Sequence, residues 1–282
     1  MADTTELLSE LSPRLAARLA AGLAAGAQNP AQTRAARSAV VAELRRLLPG
    51  VDDIRKPLPF GLPALDSHLP RGGLARGALH EIVPATETAL PAAFGFAVAL
   101  LAKLSRGPLI FILPRYTRLV SAHLSGHGLN SLGLDPARVT LVETAHRKDS
   151  LWAAAEALHS GVPLAVTAAI DRLDLKTSQK LQLAANDCGR PLFLIRPAPT
   201  LEASAAATRW RVGVAQAARD RFGLLARPCW HLQLERCRNG HPGEWKVEYD
   251  HVTHRFSLAA ALADHALSRG SSARSYKQAG GS

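Results

Sequence analysis

Between Ser204 and Arg227 the chain sets Arg209, Arg211, Arg219, Arg221 and Arg227 against a single acid, Asp220, with Trp210 among them. Guanidiniums track phosphates and an indole can stack on a base, so this composition suits a nucleic-acid strand. The same residues also read as a half-buried strand. Trp210, Val212 and Val214 alternate with Arg209 and Arg211, which would put the indole in a core and the arginines on a solvated face. Both readings stay open. The preceding loop, Ala198–Ala207, is small and polar and adds no aromatic platform. Cys229, His231, Cys237 and His241 carry zinc-ligand chemistry, but their spacings are not those of paired zinc ligands. The residues between them already make a hairpin, so no metal is expected. Cys188 reads as filler near a helix end. His80 and Glu81 fall in an apolar strand, where a hydrogen-bonded core histidine is the simpler expectation than a catalytic one. No nucleophile triad stands out.

The chain has 282 residues, with 34 Lys and Arg against 23 Asp and Glu, a formal net charge of +11. A balance this basic favours polyanionic partners, although a composition rich in Arg and Ala produces the same surplus by itself. Hydrophobic residues make up 47% and charged residues 20%, which excludes a disordered chain and fits one large domain or two small ones. No stretch approaches the roughly 20 uninterrupted apolar residues of a membrane helix. The longest, Ala92–Leu104, is interrupted by Lys103. The start, Met-Ala-Asp-Thr-Thr-Glu, is acidic, so no secretory leader is expected. With only 3 Cys no disulfide framework is indicated. A cytoplasmic protein is expected.

These residues need elements to hold them. Residues 1–50 read as a small helical N-terminal region, best supported over Thr33–Leu48, with a linker at Val51–Lys56. Apolar runs of strand length follow at Ala78–Val83, Pro108–Leu113, Arg138–Glu143, Pro163–Ala168 and Pro191–Ile195. Helical stretches alternate with them at Ala89–Leu104, Thr117–Gly126, Asp149–His159 and Lys176–Asn186. Strands apolar throughout, separated by amphipathic helices, predict an α/β fold with a mostly parallel sheet covered on both faces. Thr208–Val214, Cys229–Arg236 and Glu244–Asp250 then alternate polar with apolar, and Asn239-Gly240 marks a hairpin. An antiparallel extension of the sheet is predicted there. A helix over Leu258–Leu267 and a disordered tail over 269–282 complete the chain, so the core domain is taken as 51–268.

The run Gly61-Leu62-Pro63-Ala64-Leu65-Asp66, followed by Gly72-Gly73-Leu74 and Gly77 and then by a strand containing Glu81-Ile82, resembles the entry to the first strand of RecA-family ATPases. That resemblance implies a phosphate loop next, which needs glycine-opened amides, a Lys on the phosphates and a Ser or Thr on the metal. The chain instead reads Pro84-Ala85-Thr86-Glu87-Thr88-Ala89-Leu90-Pro91. Leu90 stands where the Lys would be, Glu87 brings negative charge, and Pro91 removes an amide. Thr86 or Thr88 is left to cap the following helix. The other implied roles fail as well. Arg115 stands near the position of the water-activating glutamate. Ala168 and Ala169 take the place of the metal-binding aspartate, with Asp171 a weak substitute beyond them. Arg196-Pro197 replaces the polar sensor. Phosphoryl transfer rests on such positioning, so the resemblance implies a RecA-like fold without ATPase activity and without a cofactor.

A narrower resemblance adds Ser178-Gln179-Lys180-Leu181-Gln182-Leu183-Ala184-Ala185, Ala205-Ala206-Ala207-Thr208-Arg209-Trp210-Arg211-Val212 and Gly243-Glu244-Trp245. Together with the His80-Glu81 strand, these resemble the damage-inducible mutagenesis family ImuA over roughly residues 34–258. The resemblance implies a non-catalytic accessory role in SOS-induced translesion synthesis. Its implied partners are RecA, a Y-family-like protein lacking polymerase activity and an error-prone C-family DNA polymerase, with direct DNA contact left open. Two alternatives remain: an SOS-induced cell-division inhibitor on a nucleotide-free RecA-like fold, and a weakly active RecA-like ATPase.

Overall fold

A computed structural model describes residues 56–104, 107–115, 124–200, 202–216 and 227–259. The expected N-terminal helical region 1–50, most of the expected helix 117–126, residues 260–267 of the last helix and the tail 269–282 lie outside the described residues.

One sheet of nine strands organises the rest, in the order β3-β2-β4-β5-β1-β6-β7-β8-β9. The parallel strands are β1 (Leu79–Pro84), β2 (Leu109–Pro114), β3 (Val139–Thr144), β4 (Ala165–Ala169), β5 (Leu192–Ile195) and β6 (Thr208–Val214). β7 (Cys229–Cys237), β8 (Gly243–Asp250) and β9 (Arg255–Leu258) extend the sheet antiparallel from β6. Every residue of β1, β4 and β5 is buried, as continuous apolar runs require when both faces are covered. β6 and β7 alternate instead. Their boundaries match the sequence-predicted strands to within about two residues. β9 was not predicted. It begins at Arg255 and ends on Leu258, the first residue of the expected helix.

Helix α1 (Pro63–Asp66) is one turn. The other helices are α2 (Leu90–Ala102), α3 (Gly126–Ser131), α4 (Arg147–His159) and α5 (Leu175–Cys188). α2 is almost wholly apolar because it lies in the main core, between the sheet and the segment Leu58–Leu74. α4 buries Ser150, Ala154 and Leu158, a stripe at helical spacing, against the opposite face, which it shares with α5. Asp174 caps α5 by accepting the Thr177 amide at 2.8 Å, and Gly189 ends it in the left-handed region. Thr86 and Thr88, expected to cap α2, hydrogen-bond each other at 2.9 Å, and α2 has no side-chain cap. Instead a 3-10 turn over Glu87–Ala89 leads into it.

The Gly-rich entry is structural. Leu58 and Leu74 exchange backbone hydrogen bonds of 2.8 and 2.9 Å. A Cβ on Gly73 would stand 2.7 Å from the Leu58 carbonyl, so only glycine permits that approach. Asp66 pins the same corner by accepting the amides of Phe60, Gly61 and Leu62 at 2.7, 2.9 and 3.0 Å. Phe60 then enters an aromatic cluster under the antiparallel half, 5.2 Å from Trp210 and 5.9 Å from Phe256 between ring centroids.

His80 is buried, as expected, and its tautomer follows from its partners. Nε2 lies 2.7 Å from the Ala75 carbonyl, which can only accept, so Nε2 carries the proton. Nδ1 therefore accepts from the Thr208 hydroxyl at 2.8 Å, and that oxygen accepts from Trp210 Nε1 at 3.0 Å. Burial pushes the imidazole pKa down to about 4, although the Ala75 bond opposes this. An unfolded chain takes up this proton below about pH 6.5 and the folded one does not until about pH 4, so stability falls as pH drops through that window. Between pH 7 and 5.5 the loss from this group is about 1.3 kcal/mol. In urea denaturation, His80→Gln is less stable than the parent at pH 7 but loses about that much less between the two pH values. An unchanged difference would assign the titration elsewhere.

Candidate functional site

All six parallel strands end at one edge, and in sheets of this kind ligands bind outside the carboxyl ends of the strands. After β1 the chain closes at once. The Ala85 amide donates to Val212 O at 2.7 Å and the Ala89 amide to Thr86 O at 3.0 Å. Glu87 is exposed, while the Leu90 side chain lies in the main core. A phosphate needs open amides and a cation here. The turn has no lysine and no glycine and offers a carboxylate where a cation is needed, so these residues do not fit a nucleotide phosphate.

The other implied positions are also in view. Arg115 is exposed at the end of β2 and pairs with Glu143 of β3. Ala168 and Ala169 are fully buried. Asp171 lies past them, its carboxylate accepting the Arg172 amide at 2.8 Å. Arg196, which sequence alone marks only as a missing sensor, is 1% exposed.

That arginine belongs to a buried ion cluster. Glu81, fully buried in β1, faces Leu194 on one neighbouring strand and Arg209 on the other. Arg209 Nε donates to Glu81 Oε2 at 2.7 Å, and Arg196 Nε lies 3.9 Å from Glu81 Oε1. Arg196 also pairs with Glu202 and donates to Ile170 O at 3.3 Å. Arg209 Nη2 reaches the Glu202 carbonyl at 2.7 Å. Partial burial works against the charge of Glu202, but the Leu173 amide and the Arg196 guanidinium outweigh it and hold the carboxyl below its ordinary value. The loops after β4 and β5 are thereby tied to the strands between them.

Of the arginines expected to face DNA, Arg209 is thus committed to Glu81. Arg211 bonds Glu235 at 2.5 Å and Arg227 pairs with Asp250 at 3.0 Å. Arg219 and Arg221 lie outside the described residues. Trp210 is fully buried, in agreement with the strand reading. Along β7 the thiol and imidazole groups are dispersed: His231 and Cys237 are about 20 Å apart by strand rise. The pairing with β6 also shifts by one residue opposite Arg209 and Trp210. His231 bonds Glu244 at 2.6 Å. Among the described residues no group of His, Cys, Asp or Glu could hold a metal ion.

A groove of about 460 Å³ opens beside the cluster, between the first turns of α4 and α5. Arg147, Leu151, Arg172, Leu175 and Glu202 are among its lining residues. Sequence reasoning passed over all of them. The available signals were a charged residue before proline at the end of an apolar strand (Arg196) and a lone acid in a small-residue loop (Glu202).

The motif residues meet around β1. Gln182 Oε1 accepts the Leu79 amide at 3.0 Å and Ser178 Oγ accepts the Ala205 amide at 2.9 Å, joining α5 to β1 and to the approach to β6. Trp245 packs 6.2 Å from Trp210. No family model matches the chain. Two curated relatives do, Protein ImuA from Caulobacter vibrioides strain NA1000 / CB15N and from strain ATCC 19089 / CIP 103742 / CB 15. Each is 31% identical over 239 residues, spanning 78% of this chain and 95% of the relative. The chain belongs to the ImuA family. In this ImuA-family chain the quoted motifs therefore act first as brackets of the fold, since nearly every polar side chain in them closes a contact between elements.

Removing one partner of a buried ion group costs about 3–5 kcal/mol because the others stay charged and dry, whereas an exposed pair is worth about 1 kcal/mol or less. Glu81→Ala is expected to lower unfolding free energy by at least about 3 kcal/mol, and Arg115→Ala by under about 1. Urea denaturation of the two variants side by side checks this. Equal losses would remove the cluster from its structural role.

Proposed function

We propose that this chain is a non-catalytic accessory factor in SOS, DNA-damage-induced mutagenesis, acting in translesion synthesis through contacts with RecA and a Y-family-polymerase-like partner beside a C-family polymerase. Membership of the ImuA family supports the mutagenesis role, together with the name its relatives carry. The observation that carries the non-catalytic part is the closed turn after β1, with Leu90 turned into the core where a phosphate-binding lysine would be needed. The strand order β3-β2-β4-β5-β1-β6 supports a RecA-like arrangement. Where such ATPases need mobile, charged loops around a nucleotide, this chain has salt bridges within itself. No described helix is long and apolar enough to cross a membrane.

Titration calorimetry with ATP and magnesium is expected to give no binding heat. Micromolar affinity would overturn the non-catalytic reading and favour an atypical ATPase. Affinity purification of the tagged full chain from DNA-damaged cells is expected to recover RecA and the polymerase-like partner. Recovery of a tubulin-like division protein in their place would favour a division inhibitor.

A further inference from the structure

The edge of the sheet where the parallel strands begin treats its arginines differently from the edge where they end. Arg190 stands just before β5 and donates to the Gly161 carbonyl, before β4, at 3.3 Å. Arg236 and Arg238 stand at the end of β7, which returns to this edge beside the start of β6. They donate to the carbonyls of Ala206 and Ala205 at 2.6 and 2.8 Å. A carbonyl fixes a guanidinium in place without neutralising it, and a fork of five N–H donors held by one nitrogen keeps others for a second acceptor. Among the described residues none of the three makes an ion pair. Arg196, Arg209, Arg211 and Arg227 are all met by carboxylates.

We propose that this amino edge, at Arg190, Arg236 and Arg238, is a contact surface for the sugar-phosphate backbone of duplex DNA. Backbone contacts make the row continuous. The Leu192 amide donates to Ala78 O at 3.0 Å, the Ala207 amide to Leu79 O at 2.8 Å and the Arg238 amide to Ala207 O at 2.7 Å. From β5 through β1 and β6 to β7 is three strand spacings, about 14 Å. That length covers about four phosphates of one strand of a duplex. Arg76, before β1, crowds the same edge. Partial burial lowers the Arg190 pKa, the Cys188 thiol opposes this, and the charge of Arg76 adds to the lowering.

The neighbouring acids offset little of this charge. Glu235 bonds Arg211 and Glu202 is held by Arg196. Asp187, exposed on the last turn of α5, bounds the row. The segments 75–77, 186–190, 205–207 and 236–241 expose no large apolar side chain. A protein interface needs an apolar centre and a splayed single strand needs a stacking ring. Fixed guanidiniums without either suit a regular line of phosphates.

The assignment does not rest on the partners proposed above. Its test uses the purified full chain with a fluorescein-labelled duplex of about 30 base pairs, followed by anisotropy against salt. The parent is expected to bind two unrelated sequences equally at low salt. Arg190→Gln, Arg236→Gln and Arg238→Gln together are expected to lower the slope of log affinity against log salt by about 2.7, the share of three phosphate contacts. Between 50 and 200 mM salt those contacts account for about a 40-fold loss of affinity. The same three changed to Lys keep the parent slope, which a purely structural role would not predict. Lys148→Gln, Lys176→Gln and Lys180→Gln, exposed on α4 and α5, remove equal charge elsewhere and also keep it. Circular dichroism verifies each fold. If the Gln triple does not fold, Arg190→Gln alone is expected to lower the slope by about 0.9. No binding by the parent, a parent-like slope in the folded Gln variant, or an equal drop in the Lys148 set would overturn the assignment. Tighter binding of the single strand would overturn it too, as would displacement by poly-L-glutamate matching that by unlabelled duplex at equal charge concentration.

Discussion

A carboxylate with no access to water in the middle of a parallel sheet must find a positive charge or cost several kcal/mol. Glu81 is that group, and much of the molecule is arranged to meet it. Arg209 reaches it from the adjacent strand β6 and Arg196 from the end of β5. Two guanidiniums then face one carboxylate, and Glu202 supplies the second negative charge. Satisfying one strand residue therefore fixes β5, β6 and the loop between them. Its neighbour His80 points to the other face and makes the same demand there, answered by Ala75, Thr208 and Trp210. Two adjacent polar residues on one strand thus tie both layers to β1.

This constraint bears on what the carboxyl edge can do. A loop that responds to a bound nucleotide needs two conformations of similar free energy. Here Glu202 is bonded to Arg196 and to the Leu173 amide, and its own carbonyl accepts from Arg209. Freeing the loop would strand a fully buried guanidinium, which costs more than a surface loop gains in entropy. The turn after β1 is held too, since the Ala85 amide bonds Val212 and the Ala89 amide bonds Thr86. The edge is built as a fixed surface.

The strand order of events along the chain was legible because burial writes itself into composition. Strands covered on both faces must be apolar throughout, and those at the antiparallel end must alternate, so β1 to β8 could be placed within about two residues. β9 escaped because four residues with a single buried ring, Phe256, carry too little pattern to outweigh the helical run after Ser257. The ion cluster escaped for another reason. Nothing in the sequence links Glu81, Arg196 and Arg209, because strand order alone brings them together. The arginines between Arg209 and Arg227 were read for their charge, and charge composition does not reveal that a carboxylate stands across the ladder. Trp210 was the reliable guide to that segment, since alternation placed it in the core.

Once the charges of a binding surface are consumed within the fold, the capacity to meet a polyanion has to reside in whatever charge is left over. The surplus of basic residues is a property of the whole chain, but only unpaired cations at a place with room beside them can use it. Pairing removes Arg115, Arg196, Arg209, Arg211 and Arg227 from that set. The loop after β5 stands beside those pairs: Glu202 is balanced by Arg196 and held by the Leu173 amide, so this edge stays fixed because its charges are met within the fold.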